Sequence, residues 1–165
     1  MLGIRCIQRR TIYRKRRGGS ASHSVTTGFL TRSIVQTQCK YAHWNVKGPN
    51  FIALHELFDK INEDVEEYVD DIAERAVQLG GVAEGTARIA AKRSSLGEYP
   101  ATAVDGRGHV EALSSVLATF GTSARKAINS ANDLGDFDTA DLFTEISRGL
   151  DKWLWFVEAH QQAER

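Results

Sequence analysis

At 165 residues the chain is one domain's worth of sequence, long enough to bury a sizeable core. No apolar run approaches the roughly 20 residues that cross a bilayer, and two cysteines, Cys6 and Cys39, are too few for a disulfide framework, which points to a reducing, cytoplasmic setting. The formal net charge of zero hides a split: residues 1–40 hold nine of the 21 Lys and Arg and no acid, leaving 12 basic residues against all 21 acids, a net of −9, over residues 41–165.

Residues 1–28 show neither a helical nor a strand period. Arg9, Arg10, Arg14, Lys15, Arg16 and Arg17 crowd together and a Gly/Ser/Thr-rich piece follows. Like charges at this density repel and the apolar content is low, so the segment reads as a disordered basic arm ahead of a folded domain over 29–165. Four readings of it compete: an arm that binds DNA phosphates by counterion release, an Arg- and Ser-rich targeting peptide, a stretch in a shifted reading frame, and a tail with no role. The first helix is expected over 29–45, with a thin apolar face of Phe29, Leu30, Ile34, Tyr41 and Trp44.

A second, much longer helix follows. Pro49 and Asn50 supply its start, Asn being a favoured N-cap, and Gly80 and Gly81 its stop. Between them Leu54, Leu57, Phe58, Ile61, Val65, Val69, Ile72 and Ala76 recur at three- and four-residue steps. His43 just before this helix, and His55, Asp59, Asp70 and Glu74 within it, are good metal ligands. At about 100° per residue, Asp59, Asp70 and Glu74 lie about 40°, 60° and 100° around from His55, on one flank. Along the axis they form two pairs, because Asp59 and Asp70 are roughly 16 Å apart. No single ion spans that gap. Two antiparallel copies across a two-fold axis would set His55 and Asp59 of one opposite Asp70 and Glu74 of the other, making two identical shared sites. Asp64, Glu66, Glu67 and Asp71 read as a solvated face.

A connector over 82–105 has room for a short helix at 87–92 and ends at Tyr99-Pro100, since the residue before proline avoids the helical region. A third helix is expected over 108–131, with Gly121 marking a close approach, and a fourth over 139–161. Four long helices with one long connection fit an all-α four-helix bundle. No Glu-x-x-His pair is present, so the site that ferritins carry inside each bundle cannot be built. The turn at 132–141 holds Asp133, Asp136, Asp138 and Asp141; Asp136 or Asp138 suits a helix cap. There is no zinc-type Cys/His spacing, no Gly-rich phosphate loop and no nucleophile elbow.

The ordered motifs H-W-N-V-x-G-x-x-F from His43, L-H-x-x-F-D from Leu54, D-x-x-A-E-R from Asp70, A-V-Q-L-G-G from Ala76, S-x-x-x-Y-P from Ser95, D-T-A-D from Asp138 and S-R-x-L-D-K-x-L-W-F from Ser147 resemble the Dps family, the DNA-protecting miniferritins. The resemblance spans about residues 41–158. It implies a ferritin-like four-helix bundle with a short extra helix between the second and third. It also implies an iron-storing ferroxidase that oxidises Fe2+ with hydrogen peroxide at a site between two-fold-related subunits of a hollow twelve-subunit shell. The ligands carried over are His43, His55, Asp59, Asp70 and Glu74. Trp44 resembles the family's site tryptophan, a quencher of radicals, against the plainer role of core packing. The Asp-rich turn becomes an acidic three-fold pore that would focus Fe2+ inward. The usual Leu-rich first helix is missing. An alternative function is compaction of DNA through the basic arm.

Overall fold

The computed structural model describes residues 34–94 and 96–161. The arm over 1–28, and Phe29 and Leu30 of the first helix, lie outside them. The described residues hold α1 (34–45), α2 (Phe51–Gln78), α3 (Ala87–Arg93), α4 (Gly106–Leu134) and α5 (Phe137–Ala159), with no strand among them. The long helices α1, α2, α4 and α5 enclose a single core and α3 sits in the connection between α2 and α4, the ferritin-like bundle that the periodicities anticipate.

α1 buries a different face from the one expected. Val35, Cys39, Ala42 and Val46 point inward, whereas Tyr41 and Trp44 are 37% and 68% exposed. The buried positions follow the helical step i, i+4, i+7, i+11, but Cys39 and Ala42 are small, so the larger aromatic residues of the exposed side dominate the apolar pattern. Trp44 is therefore not a core residue of this chain. Cys39 is sealed in, and burial pushes its thiol up to about 12, which leaves it unreactive.

α2 is the long helix that carries four of the five candidate ligands. Leu54, Phe58, Ile61, Val65 and Ile72 are buried on one stripe. Its start departs from expectation: Asn50 sits at the cap position but its side chain makes no capping bond. The turn is closed by backbone instead, with Phe51 N–H donating to Gly48 O at 3.0 Å and Leu54 N–H to Asn50 O at 3.0 Å. Its end is a Schellman closure: Gly80 N–H donates to Val77 O and Gly81 N–H to Ala76 O. That closure needs a left-handed residue, supplied by Gly80 at φ 85°.

α4 and α5 form an antiparallel pair joined through Gly135 and Asp136. The cap of α4 is Asp105, whose carboxylate accepts from Gly108 N–H at 2.8 Å. Asp136 caps α5, accepting from Thr139 N–H and Oγ1–H, and is only 2% exposed. Arg75 of α2 donates to Asp136 Oδ1 at 2.8 Å and to Thr139 Oγ1 at 2.8 Å, fastening the end of α2 to the start of α5. Two further readings are corrected. Asp64 is not merely solvated, since it accepts from the Trp153 indole at 2.7 Å and ties α2 to α5. Gly121 marks no tight contact, because a Cβ there would meet only Arg125 Nη1, at 3.5 Å. The close approach is at Gly149, where a Cβ would fall 1.9 Å from the Tyr68 hydroxyl. Among the described residues no helix is long and apolar enough to cross a membrane.

Candidate metal centre

The C-terminal half of α1 and the first turns of α2 bring three of the five candidate ligands together. The imidazoles of His43 and His55 stack with ring centroids 3.7 Å apart and planes 22° from parallel. Each is tied to the other's backbone: His43 Nδ1 lies 2.8 Å from His55 O, and His55 Nδ1 lies 2.8 Å from His43 O. A carbonyl oxygen can only accept, so both Nδ1 atoms carry hydrogen and donate. In the neutral rings both Nε2 atoms then keep their lone pairs, the tautomer a metal requires. This reciprocal pair follows from the loop at residues 46–50, which folds the end of α1 back along the start of α2.

Asp59, one turn after His55, stands 3.8 Å from His43 Nδ1 and is paired with Lys40 of α1. The hydrogen bond from Lys40 holds the Asp59 carboxyl below its ordinary range, and the two histidines add in the same direction. Lys40 does not stand out in the sequence. The available signal was a basic residue one turn before His43 on the same helix, which only a folded α1–α2 hairpin sets against Asp59. The Phe51 ring flanks His55 at 5.1 Å. Phe51, Ile52 and Trp44 leave a largely apolar, exposed surface beside the cluster.

Asp70 and Glu74 do not join this cluster. They lie three to five turns further along α2, with both side chains exposed. Among the described residues, no three His, Cys, Asp or Glu side chains of the one chain are close enough together to hold a metal ion. The donors therefore fall into two groups: His43 at the end of α1 with His55 and Asp59 at the start of α2, and two carboxylates, Asp70 and Glu74, nearer the end of α2. Neutral nitrogen plus anionic oxygen suits Fe2+ far better than a soft thiolate set would.

The acidic turn splits as well. Asp138 is open to solvent, its side chain 92% exposed, and Asp133 and Asp141 are exposed with it. Asp136 is not available to a pore, since its oxygens are consumed by Arg75 and Thr139.

Residues 33–165 match the ferritin-like domain family model. The chain is similar to a DNA protection during starvation protein of Agrobacterium fabrum, 41% identical over 148 residues, covering 87% of this chain and 91% of the relative. Among solved structures, Mycobacterium smegmatis Dps superposes with a TM-score of 0.85 at 32% identity, covering 91% of this chain and 93% of the other. The high iron form of Dps from Microbacterium arborescens superposes with a TM-score of 0.83 at 30% identity, covering 90% and 96%.

Proposed function

This chain belongs to the Dps family of ferritin-like proteins, and on that premise we propose that it is an iron-storing ferroxidase that protects DNA by consuming Fe2+ and hydrogen peroxide together. The observation that carries the reading is the interlocked His43–His55 pair, whose Nδ1 atoms both donate to backbone and so leave both Nε2 atoms free of hydrogen, with the Asp59 carboxylate 3.8 Å from the His43 ring at Nδ1. The residue assignment is His43, His55 and Asp59 from one subunit, with Asp70 and Glu74 of the partner subunit closing the site across a two-fold axis. Exposure of both carboxylates in the single chain and the roughly 16 Å helix separation support that division. The apolar surface of Trp44, Phe51 and Ile52 is the kind a subunit contact covers. The assembly proposed is the twelve-subunit shell, in the cytoplasm, with Asp133, Asp138 and Asp141 rather than Asp136 lining an acidic entry.

In the reaction two Fe2+ each give one electron to hydrogen peroxide and its O–O bond breaks. With two waters the products are two FeO(OH) units and four protons, the oxyhydroxide passing to mineral. The imidazoles hold iron without adding charge, and the carboxylates offset the charge that rises as Fe2+ becomes Fe3+. Lys40 competes with iron for Asp59 and must be displaced or bypassed. DNA benefits because Fe2+ and peroxide, left free, make hydroxyl radical.

The test combines peroxide-driven Fe2+ oxidation with mass in solution. Wild type should oxidise iron as a large oligomer and Asp59→Ala should lose most of that rate; an undiminished rate in Asp59→Ala, or a monomer with full activity, sinks the assignment. The charge split favours a second reading, direct DNA contact through the arm, because the acidic remainder of the chain repels phosphate. Deleting residues 1–17 should abolish a gel shift that fades steeply with salt; undiminished binding by the deleted protein moves the DNA site elsewhere.

A further inference from the structure

Between the loop that precedes α4 and the outer half of α1 lies a group of aromatic side chains that the iron chemistry above does not use. The Tyr99 hydroxyl is 2.8 Å from Nδ1 of His109, and the two rings lie 5.8 Å apart and 28° from parallel. His109 is completely buried. Tyr41 leans on Tyr99 with ring centroids 4.8 Å apart. In an α-helix Tyr41 stands about 5.4 Å, Cα to Cα, from His43 two residues on. A continuous path of backbone and aromatic rings therefore leads from the iron half-site to His109.

Packing alone does not call for these groups. A half-buried phenol facing a buried imidazole costs desolvation that two apolar side chains would avoid. Burial pushes the Tyr99 phenol far up and the His109 imidazole down, so at neutral pH both are uncharged. The Asn45 backbone and Asp105 act in the opposite sense on His109, favouring its protonated form. A phenol that loses an electron becomes a strong acid, and where water has limited access its oxidation is eased by a base that takes the proton at the same moment. His109 Nδ1 is such a base at hydrogen-bond distance.

We propose that Tyr99 and His109 form a one-electron redox site that discharges stray oxidant from the iron half-site, Tyr99 giving its electron by way of Tyr41 and its hydroxyl proton to His109 Nδ1. The inference rests on the ferroxidase reading for its source of oxidant. When a single Fe2+ meets hydrogen peroxide the products are Fe3+, hydroxide and hydroxyl radical. The radical takes one electron and becomes hydroxide; Tyr99 is left as a neutral phenoxyl and His109 as an imidazolium. A further Fe2+ returns the electron, the proton goes back from His109 to Tyr99, and Fe3+ is the net product.

The experiment uses the full-length protein without iron and photo-oxidised tris(bipyridine)ruthenium as the one-electron oxidant, read by electron paramagnetic resonance after freezing. Wild type should give a long-lived tyrosyl signal that rises more slowly in D2O. Tyr99→Phe should remove that signal, and Tyr41→Phe should slow its rise. His109→Gln keeps a polar partner but cannot take the proton, and should lose most of the signal. A wild-type rise equal in H2O and D2O overturns the proposal even if a variant fails to fold. A second arm adds Fe2+ below one per half-site with hydrogen peroxide. If iron is oxidised normally and the radical survives Tyr99→Phe unchanged, the redox pair is refuted. If ruthenium gives the Tyr99 signal but iron is not oxidised at all, the ferroxidase reading fails while the redox pair stands.

Discussion

If the iron site is shared, two dead proteins should make a live one. His55→Ala with Asp59→Ala removes one half of every site, and Asp70→Ala with Glu74→Ala removes the other. Neither pair threatens the fold. The first loses the His55 Nδ1–H bond to His43 O, worth about 0.5–1.5 kcal/mol net, and the half-exposed Lys40–Asp59 pair, worth about 0–1 kcal/mol after solvent screening. That total is small against the roughly 5–15 kcal/mol that holds a typical domain. The second pair changes exposed side chains without a described partner contact, within about ±0.5 kcal/mol. Each homodimer should be inactive. In a mixed dimer both defects fall in one site and the second is assembled from intact His55 and Asp59 of one chain with intact Asp70 and Glu74 of the other. Random pairing makes about half the dimers mixed, each with one good site of two, so about a quarter of wild-type sites return. The assay is co-refolding followed by peroxide-driven Fe2+ oxidation, with mixed dimers verified by mass spectrometry. No recovery in the presence of mixed dimers refutes the shared site, since a site contained in one chain cannot be rescued this way.

Asp136→Ala should destabilise the protein by about 2–4 kcal/mol, because it removes the α5 cap and leaves the Arg75 guanidinium without its buried partner; a loss below about 1 kcal/mol in urea unfolding contradicts the structural role given to it here. Lys40→Met should tighten Fe2+ binding at low salt, up to about fivefold for the roughly 1 kcal/mol that a removed neighbouring cation represents; anaerobic calorimetry showing weaker binding would make Lys40 a support of the site rather than a competitor. His109 contributes a pH dependence of fixed sign. Burial lowers its folded pKa below the ordinary value, so its stabilising contribution is complete above about pH 6.5, the unfolded value, and is lost as pH falls from there toward the folded value. The melting temperature of wild type should therefore fall more between pH 7 and pH 5 than that of His109→Gln, and equal slopes would reject the assignment.

How much of this was legible in the chain depends on how local each cause is. The span of α2 follows from apolar residues repeating at the helical step and from Gly80, whose left-handed backbone closes a Schellman motif that few other residues accept. The two-group division of ligands along α2 follows from rise and turn per residue alone. The bundle follows from four such helices and one long connection. Short-range reasoning failed where the partner lies far away in sequence. The buried face of α1 is made by Val35, Cys39, Ala42 and Val46, residues too small to stand out until the other helices show which side they cover. The sequence offers Asp136 both as a helix cap and as a pore acid, and only Arg75, 61 positions earlier, decides between the two by occupying its carboxylate. Most of all, nothing in the order of residues says that His43 and His55 each donate to the other's backbone carbonyl. Residue type makes an imidazole a possible ligand; only the fold of α1 against α2 decides which nitrogen keeps its lone pair, because a ring's tautomer is set by whatever its other nitrogen touches.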